Sequence, residues 1–230
     1  MPGYDLKHEQ VAVHGVDDLN IRSLLDRQQF ADPTGEAAAL GISSAMWPLF
    51  GLLWPSGRQL AAQMAQREVV SGERILEIGC GLALASLVSH RRGADVTASD
   101  CHPLTEAFLG ENLRLNDLPP MAYRHGPWDG AATPSGHVVR SGVLGRFDLI
   151  IGSDVLYERD DIGLLPSFIA RHAHDTACVI IIDPDRGNRS AFNRRMDSMG
   201  FELHESRLDQ GAAAAGGRYK GRLLRYNRCH

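Results

Sequence analysis

A glycine turn and an acid nineteen residues beyond it form the first constellation in this chain able to hold a ligand. Ile75-Leu-Glu-Ile-Gly-Cys-Gly-Leu-Ala reads as a short apolar strand entering a turn that opens a helix. Gly79 and Gly81 permit close backbone approach at the strand's carboxyl end, where open α/β sheets bind ligands. Asp100 closes the next strand, and an acid there can accept hydrogen bonds from both hydroxyls of an adenosine ribose. Either half alone also fits a structural turn; the pair points to a nucleoside cofactor.

A dinucleotide site requires Gly-x-Gly-x-x-Gly, whereas Gly79-Cys-Gly-Leu-Ala-Leu puts a leucine where the last glycine belongs. Glu77, just before the turn, would repel phosphates and suit a cationic group. S-adenosylmethionine meets both conditions, with an ammonium, a sulfonium and no phosphate. Cys80 reads as packing in the glycine loop rather than as a nucleophile. Asp154 and Tyr157 follow a later strand at the same carboxyl edge; the plainer alternatives are a helix N-cap and a surface aromatic.

These groups need a sheet beneath them. From Gly72 onward strands and helices alternate, which predicts a parallel sheet covered by helices on both faces. The predicted strands are Arg74 to Ile78, Asp95 to Ser99, Met121 to Tyr123, Phe147 to Ile151 and Cys178 to Ile182. The last two are continuously apolar, as buried parallel strands are. Helices are predicted over Leu84 to Arg92, closed by Gly93, and over Ile162 to His172 despite Pro166. Another opens with Pro103 in its first turn and carries Leu104, Phe108 and Leu115 on one side. Phe201 to Leu208 and Arg222 to Tyr226, joined by a Gly/Ala loop from Gly211, predict an antiparallel hairpin finishing the sheet. Residues 1–45 read as an N-terminal extension packed on a domain spanning 46–230. Its apolar islands, Val11 to Val13 and Leu19 to Leu25, fit a hairpin or a strand–helix pair.

With 230 residues and 43% apolar content, the chain suits one globular domain. A net charge of −4 argues against a general grip on nucleic acid. Cys80, Cys101, Cys178 and Cys229 lie too far apart in sequence for a disulfide framework or a zinc motif, and predict a reducing, cytoplasmic setting. His172 and His174 cannot share a helical face, so no metal is expected. The first residues have no apolar core of a signal peptide. The apolar stretch from Trp47 to Trp54, bracketed by Pro48 and Pro55, is too short to span a bilayer. Arg218, Lys220, Arg222, Arg225 and Arg228 read as a solvated edge strand protected by charge, or as a guide for an acidic partner.

Four blocks between about residues 45 and 160 carry a resemblance to a known family. They are Leu53-Trp-Pro-Ser-Gly-Arg-Gln-Leu-Ala; Leu76-Glu-Ile-Gly-Cys-Gly-Leu-Ala with Val96-Thr-Ala-Ser-Asp; Pro127-Trp-Asp; and Phe147-Asp-Leu-Ile-Ile-Gly-Ser-Asp-Val-Leu-Tyr-Glu. Together they resemble the seven-β-strand class I methyltransferases, and within them the branch of small lysine-specific protein methyltransferases, through its Asp-x-x-Tyr signature. Ala83 departs from the pattern, standing where many members have a third glycine; alanine there is expected to cost little.

The resemblance implies a doubly wound, mostly parallel seven-stranded sheet and an S-adenosylmethionine-dependent enzyme. It also implies that Trp54 packs on the cofactor and that Gly79, Cys80 and Gly81 line its methionyl and ribosyl portion. Asp100 then holds the ribose, Trp128 flanks the adenine and Ser153 lies at the strand mouth. Asp154 would orient an acceptor amine while Tyr157 shapes a narrow apolar slot. The expected acceptor is a protein lysine; a small amine or heterocycle is the alternative, and a cofactor-binding protein without catalysis is a third reading. Oligomeric state is not legible.

Overall fold

Seven strands form one sheet whose middle is built from the segments apolar on both faces. The computed structural model describes residues 3–129, 142–210 and 219–229. The Gly/Ala loop and Arg218 lie outside them. In chain order the elements are β1 (Leu6–Val11), β2 (Leu19–Leu24), α1 (Glu36–Ala39), two 3-10 turns (Ser44–Met46 and Leu49–Gly51), α2 (Pro55–Gln66), β3 (Arg74–Ile78) and α3 (Leu84–Arg91). There follow β4 (Asp95–Asp100), α4 (Thr105–Leu115), β5 (Ala122–His125), β6 (Phe147–Ser153), α5 (Leu164–His172), β7 (Ala173–Asp183), α6 (Arg189–Ser198), β8 (Glu202–Gln210) and β9 (Tyr219–Arg228).

The sheet order is β5-β4-β3-β6-β7-β9-β8. The first five strands are mutually parallel, and β9 runs antiparallel to both its neighbours. Strand side chains alternate between faces. Ile75, Leu149, Ile151, Ile180 and Ile182 join one buried cluster with α2, α3 and α4. Leu76, Ile78, Ile150, Val179 and Ile181 join the other with α5 and α6. Each such side chain, fully buried, contributes roughly 1.5–3 kcal/mol. No helix among the described residues is long and apolar enough to cross a membrane.

The N-terminal islands form a hairpin rather than a strand–helix pair, with Leu6 opposite Leu24 and Val11 opposite Leu19. Its outer strand is fastened to α4 by two asparagines. Asn112 Oδ1 accepts the Arg22 N–H at 2.8 Å, and Asn116 Oδ1 accepts the Asn20 N–H at 2.8 Å. These bonds satisfy backbone donors that an edge strand would otherwise leave open.

Five expectations need correction. The strand expected at Met121 to Tyr123 lies at Ala122–His125, and the helix expected to open with Pro103 begins at Thr105. The helix expected from Ile162 begins at Leu164, because the Asp160 carboxylate accepts the N–H groups of Gly163, Leu164 and Leu165. The strand expected over Cys178 to Ile182 spans eleven residues from Ala173, its outer half too polar to read as buried. Most consequentially, β9 is not an edge: it lies between β7 and β8. Arg222 and Arg228 in it therefore serve internal contacts, while Arg225 is exposed. Arg222 Nη1 donates to Glu205 Oε1 at 2.6 Å, and Arg228 lies over the Phe201 ring at 4.4 Å while Nη2 donates to the His174 carbonyl.

Candidate active site

The carboxyl ends of β3, β4 and β6 open into one cleft of about 480 Å³. Trp54, Glu77, Gly79, Cys80, Gly81, Asp100, Trp128, Ser153, Asp154 and Tyr157, the residues expected from sequence, all line it. Its size is that of a small-molecule site.

The floor is the turn after β3. Gly79 and Gly81 have φ of 56° and 51°, a region glycine enters at little cost. A Cβ on Gly79 would stand 3.0 Å from Val155 Cγ1 and 3.8 Å from the Trp128 ring, and one on Gly81 would stand 3.0 Å from the Phe50 carbonyl oxygen. Side chains there would collide with the turn's own supports. Ala83 shares the left-handed conformation, with φ of 56°. Alanine here therefore carries a strain of roughly 1–2 kcal/mol, which corrects the expectation that it costs little.

Asp100 ends β4 with its carboxylate under the turn: Oδ2 accepts the Gly81 N–H and Oδ1 the His102 N–H, each at 2.9 Å. Burial raises its pKa, and those backbone donors pull it back. The N–H and thiol of Cys101 add to this lowering. Glu77 is buried below the same turn and lines the cleft. One of its oxygens accepts both the N–H, at 2.8 Å, and the hydroxyl of Ser86. Burial pushes its pKa up to about 7 despite these bonds. A cation entering the cleft would favour the ionised form. The Cys80 thiol is buried and pushed well up by desolvation, as a packing residue should be.

Two indoles form walls. Trp54 caps α2, with Pro55 at the first helical position, and its Nε1–H donates to the Leu49 carbonyl at 2.9 Å. Trp128 leaves its carbonyl to Arg171, which donates at 3.0 Å. This donor set suits S-adenosylmethionine: Asp100 can take a ribose, Glu77 a cationic end, the indoles a base and the sulfonium-bearing chain, and no basic group in the turn awaits a phosphate.

On the other side, Ser153 ends β6 and Asp154 follows with φ of 55°, its N–H donating to the Ile182 carbonyl at 2.8 Å. Aspartate tolerates this conformation better than most residues, and such outliers gather at functional sites. Asp154 does not cap α5, since Asp160 does. Tyr157 is half-exposed at the rim, and burial of its inner part raises the phenol. It forms part of the wall between this cleft and a neighbouring groove of about 770 Å³.

Sequence reasoning missed three members of the site. Phe50 stacks on His102 with centroids 3.8 Å apart and planes 9° from parallel. Arg186, from the loop after β7, pairs with Asp154: Nε lies 2.8 Å from Oδ1 and Nη2 donates to Oδ2 at 2.9 Å. His102, two residues after Asp100, was within reach of sequence reasoning. Arg186 lies thirty-two residues from its partner, and only the fold joins them.

The lysine methyltransferase family model matches residues 49–199. Among individual proteins, the chain is 28% identical over 148 residues to the electron transfer flavoprotein beta subunit lysine methyltransferase of Xenopus laevis, covering 63% of this chain and 55% of that one. It is 29% identical over 136 residues to a histone-arginine methyltransferase of Rattus norvegicus, covering 57% and 56%. The chain thus spans a little over half the length of the relatives it matches. Among solved structures, magnesium protoporphyrin IX methyltransferase from Synechocystis, with S-adenosylmethionine bound, aligns with a TM-score of 0.56 at 17% identity, covering 75% of this chain and 78% of that one. A tRNA uracil methyltransferase of Pyrococcus abyssi aligns with a TM-score of 0.54 at 12% identity, covering 97% and 45%. Their acceptors differ widely, so this likeness speaks for the fold alone.

Proposed function

Since the chain belongs to the lysine methyltransferase family, we propose that it transfers a methyl group from S-adenosylmethionine to the side-chain amine of a lysine in a protein. One observation carries the reading: Asp154 and Tyr157 line the same cleft as the glycine turn and Asp100, at the mouth of β6.

Bound S-adenosylmethionine supplies a methyl group on a cationic sulfur, reactive enough for direct displacement without a covalent enzyme intermediate. The protein's work is to align the two reactants and to admit the amine in its neutral form, its proton left to solvent. Lysine, with a pKa of about 10.4, is only about 0.04% neutral at pH 7, so presenting the free amine costs roughly 4.6 kcal/mol. Asp154 accepts an N–H of the amine and thereby aims its lone pair, a source of several kcal/mol through alignment. Tyr157 closes an apolar slot around the side chain, where an ammonium is disfavoured. Asp100 anchors the ribose, Glu77 faces the cationic methionyl end, Trp128 covers the adenine, and Trp54 and Ser153 bound the passage between donor and acceptor. The groove running on from Tyr157 offers room for a polypeptide rather than a lone amine. Residues 1–45 serve as an extension on a methyltransferase domain of 46–230, a division supported by the hairpin's seat on α4. Free cysteines support a cytoplasmic setting.

The test is to incubate the protein with methyl-labelled cofactor, cell extract and, separately, electron transfer flavoprotein, the protein named for one relative's activity. Label on lysine in a protein is expected. Label confined to small molecules, or found on arginine as the histone-arginine relative would do, overturns the acceptor assignment.

A further inference from the structure

Three arginines approach the acids beyond β7, and they divide the work. Arg189 lies near Asp183, Asp185 and Glu205, and Arg222 near Asp185 and Glu205. Arg186 pairs with Asp154 alone among these acids, through both nitrogens of one edge of its guanidinium. Its loop fixes that approach, since Asp185 and Gly187 on either side have φ of 69° and 91°. Arg186 also lines the cofactor cleft and is 44% exposed, whereas Asp154 is 11% exposed.

An uncompensated aspartate in this position would bind the ammonium form of lysine, which cannot attack. A guanidinium that donates to Oδ2 and lies beside Oδ1 cancels most of the charge, and Oδ1, buried without a hydrogen-bond donor among the described residues, keeps its lone pairs open. We infer that Arg186 is a positioning and charge-compensating residue that turns Asp154 from a trap for ammonium ions into a hydrogen-bond acceptor for the neutral amine. The inference rests on the lysine-methylation reading for its purpose, but not for its test. The other charged or titratable groups near Asp154 are Tyr157 and Glu158 on its own loop, Asp183 at the end of β7, Tyr219 from β9, and Cys101 and His102 after β4. Glu77, Asp100 and Asp129 lie across the cleft. Asp183 already has Arg189 beside it, so at Asp154 it is the Arg186 guanidinium that sets the charge.

The probe is n-butylamine, which carries the reactive end of lysine, titrated by NMR into protein saturated with S-adenosylhomocysteine from about pH 7 to about pH 11. Wild type should bind more tightly as pH rises and the neutral amine accumulates. Arg186→Gln should reverse this, binding at least about fivefold more tightly than wild type at pH 7 and losing the rise. Arg186→Lys, which keeps the charge, should restore most of the wild-type profile, and melting curves on each variant confirm folding. Matching pH profiles in wild type and Arg186→Gln, or a Lys variant that behaves like Gln, overturn the inference. Absence of lysine label in the acceptor experiment, with these amine profiles intact, instead removes the protein-lysine assignment and leaves the role of Arg186 standing.

Discussion

The two halves of the cleft hold their carboxylates in opposite ways. On the donor side, Asp100 and Glu77 are buried and held largely by backbone of the turn and strand end: the N–H groups of Gly81 and His102, and Ser86. On the acceptor side, Asp154 is held by a side chain thirty-two residues away that is itself half-exposed. Backbone donors keep one geometry because the turn cannot move without unfolding locally. An arginine on a loop adds charge compensation and can be displaced. Under the proposed function, the donor half would hold a fixed ligand and the acceptor half would select electrostatically.

The sharpest break in this comparison is Asp154→Asn. Asparagine also accepts the left-handed backbone, so the fold should survive. Turnover should fall by at least about a hundredfold as the amine loses its orienting acceptor, while cofactor affinity moves by less than about tenfold, roughly 1.4 kcal/mol. Single-turnover methylation and calorimetry on one preparation check both, and near-wild-type turnover removes Asp154 from the chemistry. Asp100→Ala should do the reverse, weakening S-adenosylmethionine binding by roughly 1.5–3 kcal/mol, the range for hydrogen bonds to a charged group. Unchanged affinity in a folded variant would free Asp100 of that role.

A smaller effect tests the frame around the acceptor half. Asp160→Ala removes the acceptor for three N–H groups at the start of α5 and should cost about 1–2 kcal/mol, or about 2–8 °C in Tm. Cofactor affinity should stay put.

The smallest test sharpens the donor side through pH. The Glu77 carboxyl sits at about 7 in the fold against 4.5 unperturbed, so between these values the native state holds the proton that the unfolded chain has released. Stability should therefore fall as pH rises from about 4.5 to about 7, and Glu77→Gln should flatten that decline by a few degrees in Tm. An unaltered slope would show that Ser86 already stabilises the charged form.

What could be read from sequence follows the same division. The glycine turn, Asp100 and the alternating elements are local patterns, and they led to the sheet and to the floor of the cleft, whereas Trp54, Trp128 and Ser153 were reached only through the family resemblance. The Asp154–Arg186 pair was not legible, because two loops meet only when β6 and β7 lie side by side. The place of β9 was misread for a related reason. Its arginines mark an exposed strand by composition, but Arg222 is neutralised by Asp185 and Glu205 and Arg228 is laid over Phe201, contacts that exist only after assembly.

That place in the sheet has a consequence for how the chain is made. One edge of β7, with Ile180 to Ile182, must wait for a partner that appears roughly forty-five residues later, since β9 and not β8 fills the gap. At about 5–20 residues per second of synthesis, that is a delay of roughly two to nine seconds with an apolar strand unpaired. Slow codons between β8 and β9 should lengthen the interval and lower soluble yield without changing a single residue.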